Sequence, residues 1–218
     1  MTENVLLSTT YFGPVQWYSK LYRYPTVSLE RYEHFIKQTY RNRCLIATTQ
    51  GVQALTVPIE RGNGEKCLIK DLRISDHGNW RHLHWNALMS AYGESPFFEY
   101  YVDDIRLFFE KRWDYLFDYN LEITQVLCEL LDIHPKIVLT DDFLPLEGGI
   151  HHTDYDDFRD AIRPKHPVND PDFKPKTCWQ VYQQKLGFLP NMSILDLLFN
   201  MGNEAILYLA AINGDNQP

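Results

Sequence analysis

The first thirty residues run strand, loop, helix, strand, and that order constrains the chain more than any other feature. Val5-Leu6-Leu7 is the apolar centre of a run over 4–10. Tyr11-Phe12-Gly13-Pro14 interrupts it with a Gly-Pro turn signal, and a proline suits the first position of a helix. A helix over 15–22 would show Trp17, Tyr18 and Leu21 on one side, and 25–29 reads as a second strand. The succession predicts a parallel βαβ unit. Ligands of such sheets collect at the carboxyl ends of the strands, which here means residues 8–13. No G-x-G-x-x-G and no phosphate-loop motif accompanies the unit.

The next informative stretch is 37–58. It opens with Lys37, Gln38, Thr39, Tyr40, Arg41, Asn42 and Arg43, then turns apolar. Strands over 44–49 and 52–59 joined at Gln50-Gly51 predict a hairpin, because glycine accepts the positive φ of a tight turn. A further turn at 61–65 and a third strand over 67–74 would complete an antiparallel meander. Arg41 and Arg43, two apart on a strand, would point the same way and could clamp a phosphate or carboxylate in their planar forks. They could equally form a row of solvent-facing charge. Gln38 and Asn42 would add neutral partners, and Tyr11, Gln16, Tyr18 and Lys20 an opposite wall of rings and polar groups.

From Asn79 the period becomes helical, with Trp80, Leu83, His84, Ala87, Leu88 and Ala91 on one face. Ser95-Pro96 restarts the chain into an aromatic helix through Phe97, Phe98, Tyr101, Ile105, Phe108 and Phe109. Asn120 reads as the N-cap of a third helix, and 136–140 as a short strand. Residues 141–176 are rich in Asp, Pro and Gly and predict a loop or insertion with a short helix near 155–162. Ser193-Ile-Leu-Asp196 has the spacing of a capping box ahead of the last helices, and 213–218 reads as a disordered tail. The whole, 1–218, reads as a single α/β domain: a mixed sheet built from the βαβ unit and the meander, packed with helices, with a helical C-terminal part.

Charge and composition exclude some functions. A net charge of −8 argues against nucleic acid as the main partner, and the basic surplus falls between 37 and 73, where it can steer a small anion. Cys44, Cys67, Cys128 and Cys178 form no C-x-x-C pair and read as free core thiols. The N-terminus lacks a secretion pattern and no apolar run reaches the roughly 18 residues of a membrane helix, so a cytoplasmic protein without membrane insertion is expected. His151, His152 and Asp154 carry metal-ligand chemistry without a recognised spacing, so no metal is assigned. No cofactor is indicated.

Several segments together resemble the WbqC-like family: STTYFGPVQWYSKL at 8–21, FIKQTYRNRCLI at 35–46, ALTVPI at 54–59, IKDLRISDHGNWRHLHWNALMSAYGESPFFEYY at 69–101, LEITQVLCELL at 121–131 and GFLPNMSILDLLFNMG at 187–202. The resemblance implies an association with O-antigen and surface-polysaccharide synthesis, without a defined reaction. Many members carry Gln-Pro before the first loop tyrosine, where this chain has Thr9 and Thr10. The combined reading is a small-molecule site built from Tyr11, Phe12, Gln16, Tyr18, Lys20, Gln38, Arg41, Asn42, Arg43 and Thr56, with Lys37 or His84 in proton transfer. Its ligand would be anionic, such as a nucleotide-linked sugar or an acyl donor, and an enzyme using it would be a transferase. The alternative is a non-catalytic binding or assembly protein that uses the aromatic surface of 97–109.

Overall fold

A computed structural model describes residues 2–60, 67–145 and 148–213. The expected turn at 61–65 and most of the expected tail lie outside these residues. β1 (Asn4–Ser8), α1 (Val15–Arg23) and β2 (Thr26–Glu30) form the parallel βαβ unit, with Val5 opposite Val27 and Leu7 opposite Leu29. Burial of the apolar side chains of both strands fits a parallel sheet covered on both faces. Two more strands join in parallel: β5 (Lys136–Leu139) beside β2, and β6 (Asp156–Asp157) beside β1. Counted among the sheet's own four strands, the spatial order is third, second, first, fourth. The order therefore reverses between β1 and β6.

The hairpin stands apart as a two-stranded antiparallel pair, β3 (Arg43–Thr48) and β4 (Gly51–Thr56). Thr49 and Gln50 make its turn, and Gly51 opens β4 with φ 111°. The expected third strand of a meander is a 3-10 turn over Ile69–Asp71, held by isolated bridges such as His34 to Leu68 and Ile59 to Ile74 and by scattered backbone hydrogen bonds such as Ile69 N–H to the Glu33 carbonyl. Helices α2 (Trp80–Tyr92) and α3 (Phe98–Glu110) form where expected, but Leu83, read onto the buried face of α2, is exposed. Helix α4 (Leu116–Leu130) starts a full turn before the expected cap. Asn120 therefore sits inside the helix, fully buried, and its Nδ2 donates to the Arg41 carbonyl at 2.7 Å.

The region expected as a loop with a helix near 155–162 carries β6 instead, where Phe158 N–H continues the ladder to the Leu6 carbonyl at 3.0 Å. After it come α5 (Gln183–Leu186), α6 (Ile194–Met201) and α7 (Ala205–Ile212). Ser193 caps α6 as expected, accepting from Leu195 N–H at 3.3 Å, while Asp196 turns inward to Tyr92 and Gln180 rather than back to the cap. Ser193 also stitches the chain's two ends together. Its hydroxyl donates to the Phe12 carbonyl at 2.8 Å, and Ile194 N–H donates to Gly13 at 2.8 Å. The first loop is thus held from outside by a segment about 180 residues away in sequence, and Gly13 has no room for a side chain because a Cβ there would collide with Thr10 Oγ1.

No uninterrupted apolar run reaches membrane length, yet by length and mean hydropathy the 19-residue stretch Ile194–Ile212 passes the test for a spanning helix. Here 56% of it is buried and a 3-10 turn at Gly202–Glu204 divides it into α6 and α7.

Candidate functional site

The carboxyl ends of the parallel strands carry a concentration of buried charge. β1 ends in Ser8 and continues into Thr9 and Thr10; β2 ends in Glu30 and leads to Glu33; β6 ends in Asp157 and leads to Arg159. Arg41, 2% exposed, donates from Nε to Glu33 Oε1 at 2.8 Å and from Nη2 to Glu33 Oε2 at 2.6 Å. The same Nη2 donates to Ser8 Oγ at 2.7 Å, and the Ser8 hydroxyl donates on to Glu33 at 3.1 Å. Arg159 grips Asp157 through Nε and Nη2 and reaches Glu30 Oε2 at 3.2 Å. Burial opposes the charge on Arg159, but the hydrogen bond and charge of Asp157, with Glu30 and Glu33 behind, raise its pKa. These groups form two paired clusters, as buried ions must be paired and hydrogen-bonded to persist, and the charge of Glu33 couples one to the other.

Between β1 and β6 the two clusters border a cavity of about 10 Å³, lined by Ser8, Thr9, Thr10, Arg41, Arg159 and the apolar wall of Phe158 and Ile162. That is room for about one water. Thr9 and Thr10 Oγ1 are buried there without a hydrogen-bond partner. An orphaned buried hydroxyl costs about 1–3 kcal/mol. Arg163 stands near the edge; burial and then the charge of Arg41 lower its pKa, while Glu33 pulls the other way.

The residues expected from the sequence disperse into three places. Arg41 lines the crevice. Arg43 begins β3, half-buried and without an ion pair among the described residues, so the two arginines are not joined at the cavity. Asn42 pins the hairpin root, its Nδ2 donating to the Val57 carbonyl at 2.9 Å. Lys37, Gln38 and Thr56 are exposed, with Gln38 accepting from Lys165 at 3.3 Å.

A second group anchors the 141–176 segment. Gln16 Nε2 donates to Asp170 at 2.9 Å, and Lys20, with no exposed surface, pairs with the same carboxylate at 2.6 Å while lying 4.3 Å from the Phe158 ring centroid. Burial lowers the Lys20 pKa against the pull of Asp170.

The third group is aromatic core. Phe12, at φ 42°, packs against Tyr11, Phe108 and Phe109, and Tyr18 is buried beside Cys128 and Thr124. His84 Nδ1 lies 2.9 Å from the Tyr11 hydroxyl, and the Thr56 backbone is close enough to pull its pKa upward. Burial pushes its pKa down to about 4 against that pull, so the imidazole is neutral at pH 7.

His151 Nδ1 meets Asp156 at 2.9 Å and Tyr24 donates to the other Asp156 oxygen, which ties β6 to α1. Among the described residues no group of three His, Cys, Asp or Glu is placed to hold a metal.

The groups missed by sequence reasoning are Glu30, Glu33, Asp157 and Arg159. Ser8, Thr9 and Thr10 lie in the strand-end stretch 8–13 that the βαβ pattern singled out, and Thr9 and Thr10 also stand out as the departure from Gln-Pro. The model of the WbqC-like protein family matches residues 10–157, which include Thr10, Glu33, Arg41 and Asp157. The chain belongs to this family. An uncharacterised protein of Mycobacterium tuberculosis, Rv1507c, is 28% identical to this WbqC-like chain over 193 residues, covering 80% of it and 83% of the relative. No solved structure matches it.

Proposed function

We propose that this WbqC-like protein is an enzyme whose small-molecule substrate enters at the carboxyl ends of β1 and β6. A nucleotide-linked sugar fits best, because it joins hydroxyls to an anion; an acyl donor is the related case. One observation carries the reading: the Thr9 and Thr10 hydroxyls are buried, unpartnered and beside Arg41 at the point where strand order reverses. Open parallel sheets bind ligands there.

In this reading Thr9 and Thr10 bond the substrate's polar groups, and Arg41, whose Nη1 is left free by Glu33 and Ser8, meets its anion with Arg163. Glu33 orients both Arg41 and the Ser8 hydroxyl. Two buried arginines face three buried carboxylates, and Arg163 at the rim is itself paired with Asp160, so the anion would have to draw on the free edge of Arg41 and on rearrangement of that rim pair. Catalysis would rest on positioning and fixed charges, with group transfer as the reaction class. Entry requires the Phe158 and Ile162 wall to give way, since the cavity has room for about one water.

The test is a melting-temperature screen of nucleotide sugars, acyl-coenzyme A species and simple anions against wild type and the double variant Thr9→Val/Thr10→Val. A ligand at 100 times its Kd adds about 2.7 kcal/mol to stability. A stabilising nucleotide sugar or acyl donor that no longer stabilises the variant supports the reading; one that stabilises both proteins equally refutes the site. A second reading, docking to a partner protein, draws on the hollow of about 480 Å³ that Leu107 (60% exposed), Phe108, Trp113 and Val126 line between α3 and α4. Light scattering of wild type and Leu107→Glu tests it: self-association abolished by the charge would support docking between copies.

A further inference from the structure

Where the start of α2 meets the end of α3 lies another, differently built hollow, of about 400 Å³. That volume lies within the usual range for small-molecule sites. Arg81 comes from α2, Arg106 from α3, and Arg112 from the chain just beyond it, and all three line the hollow. Asp76 is shared: Arg81 Nη1 donates to one oxygen at 2.5 Å and Arg112 Nη1 to the other at 3.2 Å. Its hydrogen bond from Arg81, and then the charges of both arginines, hold its carboxyl below the usual range. Arg106 pairs with Glu110 at 2.6 Å. Three guanidiniums against two carboxylates leave one positive charge in a chain of net −8.

Arg81 is the decisive residue. Its side chain is 14% exposed, and its Nε and Nη2 are buried with no hydrogen-bond partner. Those two nitrogens form the edge of the guanidinium that takes an oxyanion in two parallel bonds. The adjoining wall is aromatic: Trp85 and Phe109 line the hollow with ring centroids 5.7 Å apart. The N-terminus of α2, a helix of 13 residues, opens here, and Asn79 before it, left-handed at φ 48°, caps no N–H with its side chain. Uncapped N–H groups at a helix start favour an anion.

We infer that this hollow is a second binding site, for a phosphate or pyrophosphate ester that carries a planar ring, the chemistry of a nucleoside diphosphate. The phosphates lie against Arg81, Arg106 and Arg112, and the ring rests on the Trp85 and Phe109 wall.

The test is titration of the full chain with ADP, UDP, pyrophosphate and adenosine, followed by calorimetry and by tryptophan fluorescence. It is run on wild type, on Arg106→Gln/Arg112→Gln and on Thr9→Val/Thr10→Val. Arg106 and Arg112 side chains are 55% and 82% exposed, so their replacement leaves the fold intact, as an unchanged melting temperature will verify. Expected are saturable binding of a nucleoside diphosphate by wild type and by the threonine variant, and binding weaker by about tenfold or more in the arginine variant. Pyrophosphate should bind less tightly than the nucleoside diphosphate, and adenosine should not bind. The inference is overturned if no nucleoside diphosphate binds saturably, if the arginine variant binds as well as wild type, or if binding is lost in the threonine variant alone. Equal affinity for pyrophosphate and nucleoside diphosphate would overturn the role of the aromatic wall.

Discussion

The loop at 8–13 feeds two regions that handle buried polarity in opposite ways. On one side Ser8 enters the strand-end crevice, where two guanidiniums and three carboxylates are buried together and two threonine hydroxyls are left without partners. On the other side Tyr11 enters the aromatic core, where its hydroxyl meets the Nδ1 of a neutral His84. The core is polar but closed, each of those groups using another. The crevice is charged and incompletely satisfied. Orphaned polar atoms occur in the aromatic core as well, at Tyr18 Oη and Trp113 Nε1, and what sets the crevice apart is that its two hydroxyls border a cavity at the strand ends.

The comparison can be broken most forcefully in the crevice. Arg159→Ala leaves Glu30 and Asp157 buried without their cation, and urea unfolding should show a loss of about 3–5 kcal/mol. A loss below about 1 kcal/mol would mean that the two carboxylates are not desolvated. In the core, Tyr11→Phe strands the His84 acceptor without disturbing the ring packing. It should cost about 1–3 kcal/mol in the same assay. An unchanged stability would remove the hydrogen bond from the account.

Acid titration sharpens the contrast further. His84 ionises near pH 4 when folded against an ordinary value of 6.5, so on acidification the unfolded chain takes up that proton first and stability falls between those limits. Asp196 does the reverse. Burial raises its carboxyl to about 6 from an ordinary 3.8, despite hydrogen bonds from Gln180 and Tyr92, so the folded protein takes up that proton first and stability rises as pH falls from 6. In wild type the two slopes oppose each other. Asp196→Asn removes one of them, and its stability should fall more steeply between pH 6 and 4, by up to about 1.4 kcal/mol per pH unit. Equal slopes in urea melts at three pH values would show that Asp196 is not buried as a free acid.

The smallest effect belongs to Arg43→Ala, expected within about 0.5 kcal/mol of wild type because the side chain is half-buried and makes no ion pair among the described residues. Two residues away, Arg41 is part of a buried, paired cluster.

That pair also marks how far the sequence is legible. Spacing alone makes Arg41 and Arg43 equivalent, since residues two apart share a strand face. Arg41, however, precedes β3, and its course is set by Glu33 and Asn120, contacts with no sequence signature. The βαβ unit was readable because Val5-Leu6-Leu7 and the later Val27 and Leu29 form dense apolar runs around a Gly-Pro break. β6 was not, because it is only Asp156-Asp157, residues poor in strand propensity that stay there through Tyr24, His151 and Arg159. The crevice therefore lost one wall in the sequence reading, and Gln16 and Lys20 looked free to meet a ligand when Asp170 holds both. Likewise 67–74 alternates enough to suggest a strand, but tertiary contacts wind its middle into a 3-10 turn.

The most direct test of the central claim, that the crevice keeps polar groups for a ligand, is the stability of ligand-free Thr9→Val and Thr10→Val by urea unfolding. Each substitution keeps the shape of the side chain and replaces an orphaned hydroxyl with a methyl group. If the hydroxyls are held in reserve, each variant should be more stable than wild type, by about 1 kcal/mol, or about 2–4 °C in melting temperature for a chain of this size. A loss of stability in both would show that the hydroxyls already have partners within the folded protein, and the crevice would then be structural.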